Sequence, residues 1–290
     1  MAERTLSLEW YPAPGKLNLF LHVLGRREDG YHLLQTVFRL IEHCDRIGVR
    51  PRADGEIRRL DAVPGVAAES DLCLRAARML KDYALARLGP AARPLGADLA
   101  LEKRLPVGGG LGGGSSDAAT VLLVLNRLWD LGLGRAELLQ MGLKLGADVP
   151  LFVLGENALG EGVGERLTPL PLPPAWYLVL APQVTVSTKE IFSDAALTRN
   201  TKPLTLPPFL SGQGGNDLEP VVLRRHPEVA AHLEWLRRFG SARMTGSGAC
   251  VFAEFDSEAQ AAEILARLPE TMRGFVARGL ERHPLKDWAS

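Results

Sequence analysis

Residues 105–120 read LPVGGGLGGGSSDAAT, with six glycines inside the seven residues 108–114. Glycine lets a backbone approach a ligand closely and take positive φ, and the free N–H groups at the start of a following helix point toward negative charge. The stretch therefore suits an anion cradle, and phosphate is its natural guest. A flexible glycine linker would be flanked by polar sequence. Here residues 118–129 are strongly apolar, and Ser115 and Ser116 stand where N-cap residues belong.

Two well-known phosphate loops fail on context. Gly108, Gly110 and Gly113 satisfy G-x-G-x-x-G, a match that glycine-rich sequence makes by accident. A dinucleotide fold needs a strand with an acidic tip after the helix; Asp130 has roughly that spacing, but residues 131–145 are helical in pattern. A Walker loop fails because no Gly-Lys-Ser or Gly-Lys-Thr closes the glycine run.

The elements that must position this loop follow from periodicity. Residues 97–105 form the strand that delivers the chain into it, and residues 16–25, KLNLFLHVLG, alternate as a half-buried strand does. After the RREDG turn, Tyr31-His32 opens an apolar run that returns as a second strand. The charged span 45–65 suits surface hairpins. Residues 70–88 carry Leu72, Ala76, Met79, Leu80 and Tyr83 on one helical side, and a helix from Arg135 ends at Gly146, after which the chain turns into an apolar run to Leu154. The prolines of 169–174 mark a domain hinge. Beyond it, strands at 176–181, 242–245, 249–255 and 275–280 alternate with helices at 188–197, 217–225, 227–239 and 257–268, with a Pro/Gly loop at 202–215. This pattern predicts an α/β sandwich, helices lying against one face of a mainly antiparallel sheet.

At 290 residues the chain exceeds the usual domain of roughly 100–150 residues and is expected to form two. Zero net charge gives no bulk attraction for nucleic acid. Cys44, Cys73 and Cys250 lack CxxC spacing and are odd in number, so no disulfide framework and a reducing cytoplasm are expected. The first residues have no apolar signal core, and the uncharged span 168–188 carries five prolines, which excludes an ordinary membrane helix.

Three stretches together resemble the GHMP kinase family, named for galactokinase, homoserine kinase, mevalonate kinase and phosphomevalonate kinase. The glycine loop is similar to that family's ATP loop, and MTGSGACVF at 244–252 is similar to its second glycine motif. PAPGKLNLFLHVLGRREDGYH matches, at Lys16, Asn18, Gly25, Arg26, Asp29, Gly30, Tyr31 and His32, a narrower signature: that of members acting on a cytidine diphosphate methylerythritol. LGADVPLF, GVGERL and NDLEP extend the likeness over nearly the whole chain.

The resemblance implies a two-domain α/β (α+β) fold. An N-terminal ATP-loop domain over 1–168 would be followed by a C-terminal ferredoxin-like sandwich over 169–290, with the active site between them. It implies Mg²⁺-dependent transfer of the ATP γ-phosphoryl group to the acceptor's tertiary 2-hydroxyl, giving the 2-phosphate and ADP, in non-mevalonate isoprenoid biosynthesis. ATP would be held by Pro106, Gly108, Gly109, Gly110, Leu111, Gly112, Gly113, Gly114, Ser115 and Ser116. For each serine, N-capping stands as the alternative, and Asp117 is expected to turn away from phosphate.

Asp148 would be the base and Lys16 its partner, with a structural salt bridge as the alternative. Tyr31 and Phe192 would cover the two faces of cytosine and His32 read its edge. Asn18 and Thr188 would meet polar parts of the substrate, and Gly246, Ser247 and Gly248 would approach its diphosphate or the γ-phosphate. Two positions depart from the family pattern: Asp71 stands where asparagine is common, and Ser193 where some relatives carry lysine. Among rivals, a homoserine or mevalonate kinase would lack the Tyr31-His32 pair. A non-catalytic nucleotide-binding regulator would have lost Lys16 or Asp148, and both are present.

Overall fold

The structure is a computed structural model and describes residues 7–61, 69–89 and 94–289; the opening residues read for a signal, and part of the 45–65 span, lie outside these. Strands β1 (Glu9–Arg26) and β2 (His32–Arg52) form a long antiparallel hairpin, the returning strand that the apolar run after Tyr31 predicts. The chain continues through β3 (Ile57–Arg59), α1 (Leu72–Leu88), β4 (Gly96–Glu102), α2 (Gly113–Leu128), α3 (Arg135–Leu145), α4 (Val149–Leu154), β5 (Ala158–Gly162) and β6 (Arg166–Pro169). The first sheet has the order β3-β4-β2-β5-β6, with β1 paired to β2, and only β3 and β4 run parallel. The apolar run before Leu154 is helix α4.

The span 45–65 is not simply surface hairpin, because β2 runs on to Arg52 and Asp45 is fully buried. Its charges are paired, at the surface for Asp54, Glu56 and Arg58 and in the interior for Asp45. Asp45 accepts hydrogen bonds from Lys103 and from the backbone N–H groups of Arg104 and Leu105, while Arg50 and Arg52 both bind buried Asp98.

The second half builds β7 (Trp176–Leu180), α5 (Thr188–Ser193), α6 (Leu206–Leu210), α7 (Glu219–Arg225), α8 (Pro227–Arg237), β8 (Ala242–Met244), β9 (Val251–Phe255), α9 (Glu258–Leu265) and β10 (Gly274–Arg278). Its sheet, in the order β10-β7-β9-β8, is antiparallel throughout. Helices α8 and α9 cover one face, and the other packs Tyr177, Val179 and Phe252 against Leu17, Leu19 and Phe20 of β1. Helix α5 is shorter than expected and stops at Ser193. Tyr83 stands exposed rather than in the α1 stripe, its hydroxyl bound to Glu137.

Successive strand residues face opposite ways. In β1 this sends Leu17 and Leu19 into the second sheet and leaves Lys16 and Asn18 lining a cleft. After β10 the chain returns to the first core, where Leu285, Trp288 and Ala289 pack. Arg135 fixes this return by donating to the carbonyls of Val153, Leu154, Lys286 and Ala289 at 2.5–3.0 Å. Among the described residues no helix is long and apolar enough to cross a membrane.

Helix α2 is buried from Ser116 to Asn126 and forms the centre of the first core. Leu122→Ala is expected to lower unfolding free energy by about 2–5 kcal/mol, read by urea denaturation, because a fully buried leucine leaves a cavity when truncated.

Candidate active site

Lys16 and Asn18, two residues apart on β1, share one face. The Lys16 ammonium donates to Asn18 Oδ1 at 2.6 Å and lies 3.4 Å from Asp148 Oδ2. Asn18 Nδ2 donates to Thr36 Oγ1 at 2.9 Å, and its backbone N–H donates to Thr245 Oγ1 at 2.9 Å. Lys16 is thus held in position from several sides, with its side chain 4% exposed against 32% for Asp148. Asp148 occupies the N-cap position of α4, yet its carboxylate makes no capping bond and so remains available to the cleft. The pair can therefore offer a proton acceptor beside a fixed positive charge.

The glycine loop is tied to this strand by the Lys16 N–H, which donates to Leu111 O at 2.9 Å. Helix α2 begins at Gly113 with Gly112 as its cap, so neither Ser115 nor Ser116 is an N-cap. The cap position itself admits no side chain: Gly112 has φ +71°, and a Cβ there would lie 3.0 Å from the Phe152 ring and 3.2 Å from Lys16 Cε. The Ser116 N–H donates to Gly112 O, which leaves the N–H groups of Gly113, Gly114 and Ser115 to receive an anion. Ser115 borders the cleft, whereas Ser116 is fully buried.

The second glycine motif packs directly on the first. The N–H groups of Ala249 and Cys250 donate to Gly108 O and Gly109 O at 3.3 and 3.1 Å. A Cβ on Gly110 would lie 2.3 Å from Thr245 O.

Between these parts lies a cavity of about 370 Å³, walled by Lys16, Asn18, Asp148, Ser115, Thr188, Phe192 and the turn 246–248, with Gly108, Gly110 and Gly112 at its edge. Thr188 Oγ1 and Ser247 Oγ are 2.7 Å apart across it. Pro106, Gly109, Leu111, Gly113 and Gly114 line a second cavity of about 360 Å³, which also borders on Asp71, Cys73, Lys103 and Asp117. The loop is the partition between the two. Neither Tyr31, 64% exposed, nor His32 lines either cavity; His32 is buried behind Phe192, its ring 5.0 Å from the Phe192 ring.

Some participants escaped the sequence reading. Thr36 is an isolated threonine, Thr245 sits inside the second glycine motif without a role read for it, and Arg199, which donates from Nε to His32 Nε2 at 3.0 Å, lies 167 residues from its partner. Asp71, the departure from the family pattern, caps α1 by accepting from the N–H groups of Cys73 and Leu74, and it pairs with Arg59 at 2.8 Å. Asp117 is directed to Lys103 at 3.1 Å, and Lys103 also binds Asp45 at 2.5 Å.

Comparison with known proteins adds a decisive observation. Residues 71–156 match the family model for the GHMP kinases N terminal domain, and residues 206–274 match that for the GHMP kinases C terminal region. Proteins named 4-diphosphocytidyl-2-C-methyl-D-erythritol kinase are similar along nearly the whole chain. The one from Nitrosospira multiformis is 60% identical over 96% of this chain and 93% of its own, and the one from Thiobacillus denitrificans is 59% identical over 96% and 98%. The chain belongs to the GHMP kinases. A crystal structure of 4-(cytidine 5'-diphospho)-2C-methyl-D-erythritol kinase, 35% identical, superposes with a TM-score of 0.78 over 93% of this chain and 99% of that one. The mevalonate kinase of Methanococcus jannaschii, at 17% identity and a TM-score of 0.65 over 95% and 99%, shares the fold.

This GHMP kinase carries an electrostatic load behind its loop. Burial pushes the Asp117 carboxyl up to about 7, with Lys103 opposing the shift and Asp45 adding to it. A carboxyl raised in the folded state binds a proton there between about pH 4 and 7 that the unfolded chain has released. Its contribution to stability therefore falls as pH rises through that window. Asp117→Asn is expected to flatten the decline of the urea midpoint between pH 4 and 7. An unchanged slope would show that Lys103 keeps Asp117 ionised throughout.

Proposed function

We propose that this chain transfers the γ-phosphoryl group of ATP to the 2-hydroxyl of 4-diphosphocytidyl-2-C-methyl-D-erythritol, giving the 2-phosphate and ADP in non-mevalonate isoprenoid biosynthesis. The observation that carries this reading is the 60% identity, across nearly all of both chains, to a relative bearing that acceptor in its name. The geometry agrees with it: the anion-ready start of α2 and the Lys16–Asp148 pair open onto one cleft, whose far side holds Phe192.

In this reading Asp148 takes the proton of the acceptor hydroxyl, while Lys16 stabilises charge on the transferring group. Phosphoryl transfer is loose, so alignment of the hydroxyl counts alongside deprotonation. The N–H groups of Gly113, Gly114 and Ser115 hold phosphate oxygens, with the rest of residues 106–116 shaping the nucleotide side. Mg²⁺ fits the oxygen donors at the cleft: such an ion takes one or two protein oxygens together with phosphate and water, and Ser115 would be its protein ligand. When bound it would neutralise charge on the phosphates.

Phe192 and Tyr31 sandwich the cytosine, and His32 reads the ring edge. Asn18, Thr188 and the turn 246–248 meet the acceptor's polar groups. The proposal also divides the chain at 168/169, close to the end of β6 at Pro169, with the second sheet beginning only at Trp176; the segment after β10 packs back into the first core. A cytoplasmic setting is part of it, supported by three free cysteines.

Asp148→Asn is expected to lower kcat by about 10² to 10⁴ with little change in substrate affinity; near-normal turnover would remove Asp148 as base. Coupled ADP release with ATP and Mg²⁺ tests the acceptor. Turnover is expected with the cytidine substrate and not with mevalonate or homoserine. Turnover with either of those would retain the kinase and overturn the cytosine assignments, and silence with all three would overturn catalysis.

A further inference from the structure

Arg199 follows α5 and is bound on every side. Its Nη2 donates to the carbonyls of Phe192 and Asp194 at 3.0 and 2.7 Å, its Nη1 to Leu197 O at 3.1 Å, and its Nε to His32 Nε2 at 3.0 Å. A guanidinium has five N–H donors and no acceptor. The imidazole nitrogen facing it must therefore present a lone pair. In neutral histidine only one ring nitrogen does so, and the proton then resides on the other. Among the described residues no group pairs with His32 Nδ1, so the ring has a single N–H to offer a ligand.

We infer that Arg199 is a positioning residue that fixes His32 as the Nδ1–H tautomer and so makes the site select a pyrimidine edge presenting an acceptor. This rests on the cytidine reading above. Cytosine has an unprotonated N3 flanked by the O2 carbonyl, both acceptors, whereas uracil carries a proton on N3. A lone Nδ1–H donor pairs with the first and meets an opposing N–H in the second. A site that leaves a buried polar group unpaired discriminates strongly.

Two further observations bear on the same pair. Protonating His32 would set N–H against N–H and charge against charge; burial first, then Arg199 and Arg26, hold its pKa below the ordinary value, so the neutral donor persists. The same guanidinium holds the Phe192 carbonyl, and the Phe192 ring lies 5.0 Å from that of His32 at 31°. One side chain thus sets both the stacking surface and the hydrogen-bonding edge beside it.

The test uses full-length protein labelled with ¹⁵N-histidine, His32 being assigned from the signal lost in His32→Gln. The expected spectrum has Nδ1 protonated and Nε2 bare from pH 6 to 8. Arg199→Met is expected to give mixed tautomers and to raise KM for the cytidine acceptor about tenfold, the scale of one lost hydrogen bond with its repositioned partner, while KM for ATP stays within about twofold. Arg199→Lys keeps the charge and guards against a folding defect; a partial shift in tautomer and in KM is expected.

A wild-type protein with Nε2 protonated, or an Arg199→Met variant with unchanged tautomer and KM, overturns the inference. The tautomer is read without substrate. If it is as expected but the cytidine acceptor is not turned over, the functional reading fails and the base selection fails with it. If the acceptor is turned over with His32 in the other tautomer, only this inference fails.

Discussion

The architecture of the cleft depends on one close backbone approach. The loop at 108–114 and the turn at 246–248 come from opposite halves of the chain, yet Gly110 lies so near Thr245 O that no side chain fits between them. Hydrogen bonds from Ala249 and Cys250 to Gly108 and Gly109 lock the contact, and Thr245 Oγ1 joins it to β1 through the Asn18 N–H. Because Lys16 and Asn18 are two residues apart on that strand, fixing the loop fixes the ammonium as well. The first sheet, the second sheet and the ATP-type loop thereby share one reference point.

Charge is arranged around that point with unequal generosity. Behind the loop, Asp45 and Asp117 share Lys103, and Asp45 also gathers the N–H groups of Arg104 and Leu105. This ties the end of β4 to the β2 strand and aims the chain into the loop. Inside the cleft the pairing is sparser, with the Lys16–Asp148 contact at 3.4 Å and Asp148 partly open. A carboxylate with all its lone pairs taken up has none left for a ligand, whereas the partly open Asp148 keeps oxygen facing the cleft. The dense pairing supports the loop, and the sparse pairing leaves chemistry possible.

Much of this was legible in one dimension. Six glycines before an apolar helix announce an anion site, and the alternation of KLNLFLHVLG announces a strand with a polar face, because both signals are set by local backbone physics. Asp71 shows the limit: its type alone left its role open, and only the capped helix and Arg59 reveal a structural duty. The serines after the glycines misled for a similar reason. Their type favours caps, but the cap position went to Gly112, where Phe152 and Lys16 leave no room for a side chain. The charged span after Asp45 read as surface because a sequence does not display that its charges are paired.

By itself, then, the sequence determined the periodic elements, the glycine loop that opens an apolar helix and, through resemblance, the kinase family. These depend on neighbours in the chain or on motifs that stay contiguous. Tertiary structure alone decided which residues meet: Asn18 with Thr245 across 227 positions, His32 with Arg199 across 167, and Lys103 with Asp45 across 58. Such contacts arise where separate strands and loops are packed against one another, and the energy that selects them is a sum over the whole fold. No local propensity encodes that sum.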